Sequence, residues 1–346
     1  MHVEAAIPPS SPTTHVLDGS VADMRRLHEG SFKAIDFTLF HHFLTTTALC
    51  MDHHPEPTLP WTTTIPAMAA NFPYLLHEIL AVAAIHLHNL QPESSVDYER
   101  IAQEHQSIAL RHFRASLALE NAAPEAVPLF CCSSLITFYY FAAYKSPADL
   151  LGGEDGTTPQ WMFPIRGSIA IMKQYHPALN QDGPMREFIA HGAKLWGASK
   201  HAARTAGPEA SEAHAQLEVV AQRLRELSLA GDDRDVWVPA VEDLRICFVM
   251  SEGGGPLTRK SAAIRFPTAI SEDFIRAMTR DRNPAVLVLM AYWCVLLNHI
   301  GTKYWLRGDV VVQDMLEAIG AALPDQFLEL IEWPIEMVKR SGARRH

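Results

Sequence analysis

The sequence predicts an all-α protein: a multi-helix globular bundle with central apolar helices and a hydrophobic pocket. Three stretches carry this prediction, because nearly every position in them is apolar or small: residues 73–88, 129–143 and 284–297. A helix without a polar face belongs inside a large helical protein or in a membrane. The first stretch is interrupted by histidines before it reaches the length of about 20 apolar residues that a bilayer span needs. No stretch shows the alternation and β-branched enrichment of a strand, so no sheet is expected.

The helices can be placed in order along the chain. Asp36 is the expected N-cap of the first strong helix, whose apolar stripe begins at Phe37. Three prolines predict a loop over residues 51–61, and Pro73 then suits the start of the central helix. Mixed apolar and polar patterns predict further helices, over residues 94–119, 161–175, 185–203, 210–229, 236–250, 310–323 and 325–338.

Composition limits the domain organisation and the partners. Residues 1–20 are rich in Pro, Ser and Thr and are expected to be a disordered tail, and residues 21–346 are expected to form a single all-α domain. The net charge of -10 argues against sequence-independent binding of nucleic acid, which needs a basic surface. The five cysteines lie mostly in apolar helical stretches, their number is odd, and adjacent Cys131 and Cys132 point to different helix faces, so buried thiols fit better than disulfides. No secretory signal is recognisable, so an intracellular location, cytoplasmic or nuclear, is expected.

Histidine-rich segments give no convincing metal motif. His77-Glu78 begins like the helix motif of zinc proteases, but Ala81 occupies the position of the second histidine ligand. The adjacent histidine pairs do not place both rings on one helix face. No GxSxG elbow is present either. We therefore expect no metal and no cofactor.

Aromatic and sulfur-containing side chains are concentrated on the apolar helices. They either fill the core or line a cavity in which Tyr and Trp supply polar handles to a mostly apolar ligand. The candidate ligand-binding residues are Phe138, Tyr140, Phe141, Tyr144, Trp161, Met290, Trp293, Cys294, Leu297 and Trp305. A cyclising reaction needs no nucleophile and gains from preorganisation and hydrogen-bond donors. The candidate catalytic residues for such a reaction are Tyr140, Tyr292, Trp293 and His86.

Several short motifs carry a family likeness. Residues 39–43, LFHHF, resemble the "LLHHF" opening of the C-terminal regulatory domain of fungal zinc-binuclear-cluster transcription factors of the sterol-uptake-control type. Residues 72–87, FPYLLHEILAVAAIHL, resemble that family's "HPFLLHAILALAALHL". The motifs WLRG at 305–308 and IEWP at 331–334 follow in the family's order. The resemblance runs from about Asp36 to Trp333 and implies a helical receptor with an apolar pocket for a sterol or similar lipid.

The sequence also departs from the family pattern. The family's DNA-binding module needs six closely spaced cysteines that bind two zinc ions, and the five cysteines here do not resemble it. The histidine that usually precedes Tyr292 is replaced, and Asp309-Val310 stands where the family has Trp-Gly. These differences predict a rebuilt pocket and no direct contact with nucleic acid.

Three hypotheses follow. The first is a stand-alone regulatory domain that binds a sterol-, terpenoid- or polyketide-like molecule and acts through a protein partner or as a homodimer, with no membrane span. The second is an enzyme, a cyclase or pericyclase of the Diels-Alder type that folds a terpenoid or polyketide intermediate of secondary metabolism. The third is a sequence that lacks an upstream exon of an ordinary transcription factor.

Overall fold

The structure, a computed structural model, describes residues 32–51, 60–119, 122–153, 155–179, 184–205, 211–227, 233–252, 256–299 and 309–343. All regular structure in these ranges is helical, which confirms the all-α fold class. The α-helices are α1 (Ala34–His42), α2 (Ala48–Met51), α3 (Ile65–Ala69), α4 (Pro73–Leu90), α5 (Tyr98–Leu117), α6 (Ala126–Ala142), α7 (Ala148–Leu151), α8 (Met162–Gln174), α9 (His176–Leu179), α10 (Pro184–Thr205), α11 (Glu212–Leu227), α12 (Arg234–Glu252), α13 (Pro256–Ala269), α14 (Glu272–Thr279), α15 (Pro284–His299), α16 (Asp309–Ala322), α17 (Asp325–Leu328) and α18 (Glu332–Ala343).

The three apolar stretches become α4, α6 and α15, and each is enclosed by other helices. In α15 every residue from Ala285 to Asn298 is buried. Helix α5 lies along α4, and α6 packs against α4 and α8. Helix α15 is surrounded by α12, α13, α16 and α18, while α8 joins the two groups by packing on both α6 and α13. A helix in such a position needs no polar face, because no side of it meets water.

Residues Ala123–Ala142, which include α6, are long and apolar enough to cross a bilayer. However, 78% of the most apolar window is buried inside the protein. Burial of this kind is typical of a core helix, and it agrees with the prediction that this stretch is central.

Two π-helical turns lie near the start of the chain. Residues Phe43–Thr47 join α1 to α2, and residues Pro60–Thr64 lead into α3. The two turns pack against each other, and the first also packs on α4. A π turn adds one residue to a helical turn and shifts the side chains that follow it, which is why such turns are frequent at functional sites.

The beginning of α1 corrects two predictions. The helix starts at Ala34 rather than after Asp36, which lies in its first turn and accepts the backbone N–H of Lys33 at 2.9 Å. Phe37 does not point to the core, because 71% of its surface is exposed. The two ends of the predicted loop over residues 51–61 are wrong, since Met51 and Trp61 are both helical, and residues 52–59 lie outside the described residues. Trp305 and the tail at residues 1–20 lie outside the described residues.

Candidate functional site

Two tryptophans connect the halves of the core, where the sequence predicted a ligand site. Trp161, just before α8, stacks on Trp293 of α15 with ring centroids 5.1 Å apart and an interplanar angle of 12°. Phe141 of α6 packs on Trp161 as well, and the centroids of these two rings are 5.2 Å apart. The structure therefore brings together three of the predicted ligand-binding residues, from three separate segments.

Neither indole of this pair offers a spare donor. The Nε1–H of Trp293 donates to the carbonyl oxygen of Ala263 at 2.8 Å, and that of Trp161 donates to the carbonyl oxygen of Leu150 at 3.3 Å. A buried N–H group is stable only when it is hydrogen-bonded. These bonds fix both rings, so the predicted role of Trp293 as a hydrogen-bond donor would require its present bond to break.

The other predicted ligand-binding residues are distributed around the core. Phe138 packs edge-on against Trp61, and the Tyr144 hydroxyl donates to Asp314 Oδ2 at 3.3 Å. Burial and the nearby carboxylate raise the pKa of Tyr144. Three further residues of the predicted set are buried on α15: Met290, Cys294 and Leu297. Tyr140 is half-buried.

The predicted catalytic residues do not converge. His86 Nδ1 lies 2.9 Å from the hydroxyl oxygen of Thr47, in the first π turn, and its ring is 5.1 Å from that of His42. Burial, followed by the charge of His42, lowers the pKa of His86 to about 4, so its ring is neutral at physiological pH. Tyr140 belongs to a separate hydrogen-bonded cluster with Gln106. No contact of the described residues joins the four candidates in one site, and the cyclase hypothesis gains no support from them.

Tyr292 differs from the other buried aromatic residues that carry a polar atom. Its ring stacks on Trp333 of α18, with centroids 5.3 Å apart and an interplanar angle of 20°. Phe248 of α12 meets the same Trp333 ring edge-on at 6.0 Å. The Tyr292 hydroxyl is fully buried and has no hydrogen-bond partner among the described residues. Burial raises the pKa of Tyr292, so the hydroxyl is neutral.

Glu78 is a site residue that the sequence analysis missed. It lies on α4 with no exposed surface, and burial raises the pKa of its carboxyl well above the usual value. When the Gln106 side-chain nitrogen is oriented toward it, that nitrogen is 2.6 and 2.8 Å from the two carboxyl oxygens. Gln106 is also hydrogen-bonded to the half-buried Tyr140. The sequence did contain an indication of this residue, because the family pattern quoted above has alanine at the position of Glu78.

A second buried polar group joins α1, α4 and α5. Asp36 Oδ1 lies 3.2 Å from Nε2 of His105, whose Nδ1 is 2.9 Å from Nδ1 of His77. A contact between two ring nitrogens holds one proton, so one histidine donates and the other accepts. Burial lowers the pKa of His105, and Asp36 opposes that effect. Phe32 covers His77, with ring centroids 6.2 Å apart.

Metal binding receives no structural support. Within the described ranges, no group of three or more His, Cys, Asp or Glu side chains is arranged to hold an ion. The expected absence of a metal therefore stays a prediction.

Comparison with known proteins shows which class of protein this chain resembles. Residues 38–177 match the family model of the fungal specific transcription factor domain. Residues 38–177 are thus similar to a fungal transcription factor domain, and this match confirms the resemblance found in the motifs. The matched range includes Glu78, the two histidines of the Asp36 group and the Trp161 ring, but not Tyr292 or Trp293.

Three curated relatives point to the same class. The chain is 21% identical over 344 residues to a Zn(2)-C6 fungal-type transcription factor of Gibberella zeae, covering 96% of this chain and 67% of that protein. It is 28% identical over 157 residues to Sterol uptake control protein 2 of Saccharomyces cerevisiae, covering 43% of this chain and 16% of that protein. It is 26% identical over 171 residues to the Zn(2)-C6 fungal-type transcription factor afumD of Aspergillus fumigatus, covering 49% and 43%. The alignments span two thirds of the first relative and less than half of the other two.

Proposed function

We propose that this protein is a regulatory domain of the fungal transcription factor type that binds a hydrophobic small molecule in its helical core. The observation that carries the proposal is the enclosure of α15, whose fourteen residues from Ala285 to Asn298 are all buried and mostly apolar. An apolar interior of this kind favours an apolar ligand over a charged one, because burying an unpaired charge is costly. The name of the yeast relative, which refers to sterol uptake, supports a sterol-like ligand.

The proposed domain acts through a protein partner or a second copy of itself, inside the cell or its nucleus, and not through its own contacts with DNA. The net charge of -10 supports this part of the proposal. A surface of that sign repels phosphate groups, and DNA-binding proteins depend on basic side chains for much of their affinity. In a gel-shift experiment the isolated protein should form no specific complex that survives increased salt.

Ligand binding is tested by titrating the purified protein with ergosterol and following tryptophan fluorescence and thermal unfolding. Binding to the folded state should raise the stability by RT ln(1 + [L]/Kd), about 2.7 kcal/mol at a free ligand concentration of 100 Kd. The Trp161–Trp293 pair lies in the predicted binding region and should report the change. Absence of saturable binding by ergosterol and by other sterols and terpenoids would refute the proposal.

A matched pair of variants locates the binding region. Leu297→Phe adds bulk inside the core, where only 2% of the leucine is exposed, and should weaken ergosterol binding. Leu328→Phe makes the same change at a residue that is 37% exposed on α17, and should leave binding unchanged. Equal binding by both variants, with both folded, would place the ligand elsewhere.

A further inference from the structure

The Tyr292 hydroxyl poses a specific physical problem. A buried hydroxyl without a partner has lost its bonds to water and gained none in exchange, so it destabilises the protein unless something else satisfies it. Unpaired buried groups are rare in native proteins and each one calls for an explanation. Tyr292 has no exposed surface, and no described residue bonds to its oxygen.

The other aromatic residues of this region do not supply a hydrogen bond to the Tyr292 hydroxyl. Trp333, which stacks on the ring, already donates its Nε1–H to Glu212 Oε1 at 2.9 Å. Phe248, on the same tryptophan, has no polar side-chain atom. Trp293, the next residue along α15, donates to a backbone carbonyl, and the buried Tyr144 donates to Asp314. The polar atoms of these other aromatic residues are satisfied, so the unpaired hydroxyl is a local feature.

We propose that the Tyr292 hydroxyl binds the polar group of the ligand, and that this ligand is an apolar molecule with one hydrogen-bonding oxygen. The inference rests on the proposed function. A phenol hydroxyl can donate to a carbonyl oxygen and can both donate to and accept from a hydroxyl group. The aromatic surroundings of Tyr292 favour a hydrocarbon body for the rest of the molecule. A carboxylate is disfavoured, because Trp333, which stacks on the Tyr292 ring, and Phe248, which packs on Trp333, carry no positive charge to balance it.

The test combines a protein variant with a ligand lacking the polar group. Tyr292→Phe removes only the hydroxyl, and 5α-cholestane is cholestanol without its 3-hydroxyl group. We expect cholestanol to bind the variant about tenfold more weakly than the wild type, the effect of one neutral hydrogen bond. Cholestane should bind both proteins equally, because neither can bond to it. Unliganded Tyr292→Phe should unfold at the same temperature as the wild type or a higher one, because it no longer buries an unpaired group.

Tyr74→Phe is the matched control. It also removes the hydroxyl of a buried tyrosine outside the predicted ligand-binding set, but one that donates to Glu125 Oε2 at 3.0 Å. This variant should lose stability and keep the wild-type ratio of cholestanol to cholestane affinity. The comparison separates a lost ligand contact from a general loss of packing.

The outcomes distinguish the two proposals. If the wild type binds no sterol, the proposed function fails and this inference fails with it. If the wild type binds cholestanol and Tyr292→Phe binds it equally well, only the assignment of Tyr292 is overturned. If Tyr292→Phe is less stable and binds cholestanol and cholestane with the same loss, the hydroxyl has a structural partner such as a buried water, and the assignment is again wrong.

Discussion

Replacing Glu78 with glutamine should change how stability depends on pH. The carboxyl has no exposed surface, and burial raises its pKa well above the usual value of 4.5. In the unfolded chain the same group ionises near that ordinary value. Between pH 4.5 and the folded pKa, the folded state therefore binds up to one more proton than the unfolded state, and Glu78→Gln removes this difference.

The magnitude follows from proton linkage. Because the folded state holds the extra proton, the wild-type stability falls as the pH rises from 4.5 toward the folded pKa, by up to about 1.4 kcal/mol per pH unit. Glutamine is nearly isosteric and keeps a carbonyl oxygen that can accept from Gln106. The variant should therefore become more stable relative to the wild type by up to about 1.4 kcal/mol for each unit over this pH range.

The assay is urea unfolding at intervals of half a pH unit, with the free energy of unfolding compared between the two proteins. Glu93→Gln is the control, since it makes the same chemical change at an exposed loop position. The stability of that variant should follow the wild type in parallel. If the free energies of unfolding of Glu78→Gln and the wild type also change in parallel with pH, Glu78 is ionised in the folded protein. The assignment of a neutral, buried carboxyl would then be wrong.

Three further predictions concern single contacts, each measured by urea unfolding. Tyr144→Phe should cost about 1 kcal/mol, because it removes the hydroxyl bond to Asp314 that ties α6's C-terminal end to α16; no loss would mean that the bond is not formed in solution. Gly152→Ala should cost about 2 kcal/mol, because the φ angle is +83° and a methyl group would lie 2.6 Å from a backbone carbonyl oxygen; a neutral effect would refute this strained conformation. Because burial lowers the pKa of His105, the folded protein binds fewer protons than the unfolded chain below pH 6.5, and stability should fall on acidification there. His105→Gln should remove this loss of stability, by up to about 1.4 kcal/mol per pH unit. If the stability of this variant falls with acid as much as that of the wild type, burial does not lower the pKa of His105 beside Asp36.

The sequence predicted the central helices well, because the signal for them is strong and local. A run of fifteen or so residues without a polar face has few alternatives to a buried helix, and α4, α6 and α15 appear where such runs occur. The π turns could not be predicted in the same way. One extra residue in a helical turn hardly changes a short apolar pattern, and the Phe43–Thr47 turn is visible only in the backbone hydrogen bonds.

The site was harder to predict than the fold, since its features depend on residues far apart in sequence. Nothing near Tyr292 shows that Trp333 will cover its ring or that its hydroxyl will lack a partner. The sequence made Trp293 a candidate hydrogen-bond donor to a ligand, because it does not show that the indole N–H donates to the carbonyl oxygen of Ala263. Glu78 was detectable in principle, as a carboxyl within an apolar helix, but its protonation depends on burial that only the packed structure defines.

The stack of Trp161 on Trp293 also bears on how this fold can be inherited. The family match ends at residue 177, so one ring lies inside the recognised domain and the other outside it. Arg166, also inside, donates to the backbone oxygen of Ile270 at 2.9 Å across the same boundary. A gene exchange that transferred only the recognised segment would leave a large aromatic face without its partner. Selection should therefore keep both parts together, and a change in either ring should be limited by the ring that it packs against.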